Sequence, residues 1–304
     1  MNEISAVMFD RSAAMQGTYE DMLMLADEAM NWLITNGVRV DSTRAIKLMK
    51  NVSQLRDDIT SGKVRAPHLS QLWEIAELDD LIQISTQLKG IGDPRFLATL
   101  AKVTGGPHLL ADEKTTGGSI QGRNATFELF AAARFARAGL PAVFKSDADA
   151  TIETSMGELA LECKRVAVAD KLERNIRDAA SQIKNRISSD GVKAGYVCIS
   201  ISRLVHQVAF ENPENIFGNP TEFQASAREM LAVLGQHIVS RCRDLAPSVL
   251  AIGLHYKLPF VNGQTAAPTM MNRFVFYSLL DQSHARDKHA IETHVHNLLS
   301  ESID

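Results

Sequence analysis

Asp149, Glu162 and Lys164 are the residues whose types and spacing could do chemistry. They lie in the stretch KSDADATIETSMGELALECKRV, residues 145–166. In 149–154, Ala150 and Ile152 fall on one face and Asp149, Thr151 and Glu153 on the other, the period of a strand. Thr154-Ser155-Met156-Gly157 is turn chemistry. From Glu158 to Val166, Leu159, Leu161 and Cys163 share one face, and Ala160, Glu162 and Lys164 the other. The expectation is a β-hairpin closed on a Glu153–Glu158 pair. Counting outward sets Ile152 opposite Leu159, Ala150 opposite Leu161 and Asp149 opposite Glu162. Two carboxylates so placed repel unless something neutralises them. A hard divalent cation such as Mg²⁺ would do so, taking one or two carboxylates plus water and substrate phosphate. Lys164, on the same face, could orient a water beside that cation. The plainer alternative is a solvated hairpin face with a Lys164–Asp147 or Lys164–Glu162 ion pair.

The elements around the hairpin read as follows. Residues 124–138 (NATFELFAAARFARA) form a helix closed by Gly139, with Phe127, Phe130 and Phe135 at helical spacing. Residues 141–145 (PAVFK) are a short strand. A long helix capped by Asp170 runs to about Ile187, with Leu172, Ile176, Ala179, Ala180 and Ile183 as its apolar stripe. It carries the densest basic run, in which Arg174, Arg177 and Lys184 are candidates for binding a polyanion. Residues 194–201 (AGYVCISI) are the next strand.

Asp149 followed by Glu162-Cys163-Lys164 on a hairpin resembles the PD-(D/E)XK nuclease superfamily. Position 148 is Ala where that family usually has Pro. The resemblance covers roughly residues 119–203. It implies an α/β fold, a restriction-endonuclease-like αβββαβ core with a mixed sheet, and metal-dependent hydrolysis of phosphodiesters, with DNA favoured. It further implies that Asp149, Glu162 and the Cys163 backbone carbonyl hold Mg²⁺ or Mn²⁺, and that Lys164 activates the attacking water. Glu128, on the helix before the first core strand, would assist directly or through water. Gln182 matches a glutamine of some relatives, often seen as Gln-x-x-x-Tyr; Arg186 stands where the Tyr would be. The alternative within the same fold is an inactive nucleic-acid-binding or interaction protein, and a further one is a hydrolase of small phosphate compounds. The pattern leaves DNA or RNA, and endo- or exonucleolytic cleavage, open.

Before this core, residues 18–103 read as helices. Asp93-Pro94 is an N-cap followed by an N1 proline. An all-helical N-terminal region (1–110) is therefore expected ahead of a nuclease domain (119–304), with the linker in the Gly-rich stretch 104–122. The N-terminal helices are the expected surface for self-association or a protein partner. Beyond the core, two more strands (248–258 and 272–280) should extend the sheet, and a helix over 284–300 should close the chain. Of 304 residues, 45% are hydrophobic, enough for a sizeable core. A net charge of −4 is wrong for a general nucleic-acid coat, so any polyanion contact must be local. Three scattered cysteines without CxxC spacing argue for a reducing, cytoplasmic setting and against structural zinc. No apolar run reaches the length of a membrane span.

Overall fold

A computed structural model describes residues 6–8, 19–108, 120–145, 148–209, 217–263, 268–281 and 289. The chain is α/β, with helices first and a mixed sheet after them. α1 (Tyr19–Thr35), α2 (Arg44–Thr60), α3 (Leu69–Leu88) and α4 (Pro94–Val103) precede the core. Then come α5 (Gln121–Arg137), β2 (Ala142–Val143), β3 (Ala150–Thr154), β4 (Gly157–Arg165), α6 (Leu172–Ser189) and β5 (Ala194–Ser200). This is the expected order of helix, three strands, helix and strand. α7 (Ser202–Ala209), β6 (Phe217–Gly218), α8 (Pro220–Cys242), β7 (Val249–Asn262) and β8 (Pro268–Ser278) follow. The helix expected over 284–300 lies outside the described residues, apart from His289.

Two departures from the sequence reading matter. The N-terminal region is not all helical: β1 (Ala6–Met8) pairs antiparallel with β8 at the far edge of the sheet. A three-residue apolar run has too little periodicity to announce itself, and its partner is about as far away in the chain as the fold allows. Asp170 also does not cap the long helix directly. It sits in a 3-10 turn (Ala169–Lys171), and α6 begins one residue later. At α4 the capping expectation holds, with the Asp93 carboxylate accepting the amides of Arg95 and Phe96.

The eight-stranded sheet runs β1-β8-β7-β5-β4-β3-β2, with β6 on β7. β4, β5 and β7 are mutually parallel and central. All seven residues of β5 are buried, as befits a strand covered on both faces. α5 and the N-terminal helices cover one face; Phe127, Phe130, Phe135, Leu159, Leu161, Tyr196 and Phe276 belong to that core together with Leu33, Leu48 and Phe96. α6 and α8 cover the other, where Ile176, Ile183, Val197, Ile199, Ile252 and Tyr277 pack. Close approach is built in at Gly195, where an added Cβ would lie 2.6 Å from the Ala160 carbonyl and 2.9 Å from Ile183. Among the described residues no helix is long and apolar enough to cross a membrane.

Candidate functional site

The β3–β4 hairpin has the register counted from sequence. Glu153 pairs with Glu158, Ile152 with Leu159 and Ala150 with Leu161. The turn itself is two residues, Ser155-Met156, flanked by a Thr154–Gly157 pair. Gly157 takes φ +107°, a backbone conformation that a Cβ would oppose. Cys163 packs with Leu159 and Leu161 against α5, whereas Glu162 reaches toward α6 on the opposite face.

Strand pairing stops at Ala150–Leu161, one step short of Asp149. There Oδ2 of Asp149 accepts the Cys163 amide at 2.6 Å. The side chain thus takes the place of a ladder hydrogen bond and opens the hairpin at its base. Asp149 stands at this split, and both Glu128 of α5 and Glu162 of β4 feel its charge.

Glu162 is 2% exposed, so its face is not solvated. Burial, then the neighbouring Asp149, push its carboxyl up to about 8, against the pull of Lys164 and Arg186. Lys164 Nζ lies 3.9 Å from Oε2 of Glu162, and Arg186 Nε lies 3.9 Å from Oε1. Oε1 is buried and accepts no hydrogen bond. Burial and Asp149 likewise push Glu128 up to about 7, and burial raises Asp149, though the Cys163 amide works against it. Burial is the first cause of all three rises, and Asp149 adds to it at Glu128 and Glu162.

The remaining expected residues divide. Gln182 lies on α6 one turn before Arg186, and its Oε1 is buried without a hydrogen-bond partner. Arg177 is held within the fold: it donates to Asp244 at 2.9 Å, to the Arg241 carbonyl at 2.6 Å and to Glu173 at 3.0 Å. Arg174 is exposed beside Asp178 at 3.8 Å, and Lys184 is exposed on the same helix.

Sequence reasoning missed two cations. Arg186 reads in the sequence only as part of the helix's basic run, standing where a Tyr would be, yet it is one of the two positive groups against Glu162. Lys102, near the end of α4, acts on both Glu128 and Asp149. Its only sequence signal was a basic residue in the last turn of a helix. Among the described residues no group of three or more His, Cys, Asp and Glu side chains forms a ready cluster for a metal ion. The donors present are oxygens, with two carboxylates and a backbone carbonyl on one hairpin and Glu128 nearby. By donor type these are the ligands a hard cation takes, not those of a zinc site. Comparison with family models, curated proteins and solved structures finds no match to this chain.

Proposed function

We propose that the chain is a metal-dependent phosphodiesterase of the PD-(D/E)XK kind, built on a restriction-endonuclease-like core, and that its substrate is a polynucleotide, DNA being favoured. The observation that carries this reading is the buried Glu162 with its unsatisfied Oε1, beside Asp149 and Lys164 at the opened base of the hairpin. Asp149, Glu162, the Cys163 carbonyl and Glu128 would hold Mg²⁺ or Mn²⁺. Such a cation supplies charge at the scissile phosphate and a more acidic water. Lys164 orients the attacking water and offsets the negative charge that grows on the phosphate. Gln182 would add a polar contact from α6. Arg174 and Lys184 offer backbone contacts to a polyanion, a lesser role remaining for Arg177 because of its internal pairs.

The test is cleavage of plasmid and oligonucleotide substrates in Mg²⁺ or Mn²⁺, with Mn²⁺ binding followed by calorimetry. Lys164→Ala should lower the rate by about 10²–10³, the usual loss for one preorganised group, while Mn²⁺ still binds. Glu162→Ala should abolish both. Parent-rate cleavage by purified Lys164→Ala protein would refute the mechanism. One observation favours the inactive-binding reading: Arg186 already lends Glu162 a positive neighbour. Failure of the wild-type chain to bind Mn²⁺ would decide for that reading.

A further inference from the structure

A second polar site lies on the α5 face of the sheet, under α3, at the C-terminal ends of β4 and β5 and beside the middle of β7. Arg165, Ser200 and His255 stand side by side in register across these three parallel strands, and all three line a cavity of about 40 Å³. The carboxyl end of a parallel sheet is where ligand crevices form. The volume suits a few waters or one small organic group, at ~10–15 Å³ per water.

The charges around the cavity are largely committed to one another. Glu77 is bridged to Arg123 and, at 2.7 Å, to Arg44. Lys257 is bonded to Asp80 and donates to the Ala76 carbonyl at 3.2 Å. The Ser202 hydroxyl accepts the Lys257 amide at 3.0 Å and lies 3.2 Å from that of Ser200. An ion entering here would have to break such pairs. Three nitrogens of lining residues are buried without a hydrogen-bond partner: Trp73 Nε1, Arg123 Nε and His255 Nδ1. Trp73 is 4% exposed and His255 3% exposed. His255 Nε2 donates to Asn272 Oδ1 at 2.9 Å, so Nδ1 presents a lone pair. Burial, then Lys257, hold the imidazole well below its ordinary pKa and therefore neutral. The unused valences are two N–H donors and one acceptor, on residues that line the cavity together with Phe127 and Phe130.

We propose that this cavity binds a small neutral amide edge, a C=O beside an N–H. The carbonyl accepts from Trp73 and Arg123, and the N–H donates to Nδ1 of His255. The site does not depend on the carboxylate centre. β4 turns Glu162 toward α6, and Arg165, three residues on, toward the cavity.

The test is saturation-transfer NMR on the full chain, with acetamide as the probe and acetate as its anionic isostere. Acetamide should receive saturation, and acetate should fail to displace it. Trp73→Phe keeps a ring and removes one donor; it should weaken acetamide about five- to tenfold, the worth of one hydrogen bond. His255→Phe should do the same, and Glu162→Gln should change nothing, which separates this site from the nuclease reading. Acetate competing as well as acetamide would overturn the proposal in favour of an anion site. No transfer to either probe would leave water as the cavity's filling and also overturn it. So would unchanged affinity in both ring variants. Where a variant does not fold, the competition on the wild-type chain decides alone.

Discussion

Burial and Asp149 push the Glu162 carboxyl up to about 8, so the folded metal-free chain holds this proton far more tightly than an ordinary carboxylate does. In the unfolded chain the same group ionises near ~4.3. The folded state therefore binds the proton more tightly, and stability falls as pH rises between those two values. Glu128, pushed up to about 7, adds to the fall with the same sign. The Tm of the metal-free chain should thus drop between about pH 5 and about pH 8. Glu162→Gln should flatten that drop and raise Tm at the alkaline end. Mn²⁺ should restore stability there in the wild type and not in the variant. A wild-type Tm that stays level across this range would contradict the electrostatic picture of the site.

At the scale of elements, the buried triad Arg44–Glu77–Arg123 ties α2, α3 and α5 together. Burial alone would raise Glu77; Arg123, Arg44 and Lys257 outweigh it and hold the carboxyl at about 2. Removing the anion strands two buried guanidinium groups. Glu77→Ala should cost about 3–5 kcal/mol in denaturant unfolding, against less than about 1 kcal/mol for an exposed helix acid such as Asp178. Equal losses at the two positions would mean that the triad holds nothing. This triad also marks where the sequence stopped being readable. The hairpin register could be counted because a strand's period of two and a short turn act over neighbouring residues. Glu77 pairs with residues 33 and 46 positions away, so nothing local distinguishes it from a solvated helix glutamate. Lys102 escaped for the same reason: it belongs to a helix read as part of another region, and it meets Glu128 only after α4 has packed on α5. The polar floor under α3 escaped because His255 and Lys257 sit in an otherwise apolar strand, where composition says burial and gives no partner. Arg186 was in view, but its meaning depended on which way α6 faces.

Across the whole molecule, one apolar core runs from Leu33, Leu48 and Phe96 in the N-terminal helices to Phe274 and Phe276 in β8. The Gly-rich stretch between helices and sheet therefore divides the sequence without dividing the core. Thermal and denaturant unfolding should show a single transition, with far-UV and near-UV signals coincident. Two resolved transitions, or a 119–304 fragment that folds alone, would contradict this. The bond between Lys257 and Asp80 joins residues 177 positions apart. On a ribosome α3 emerges long before the strand whose Lys257 bonds its Asp80. At ~5–20 residues per second, its apolar and acidic faces wait on the order of ten seconds or more for their floor. During that interval the nascent helices keep apolar surface exposed. Synonymous codon changes that slow synthesis between α3 and β7 would lengthen that exposure without altering a single atom of the finished fold.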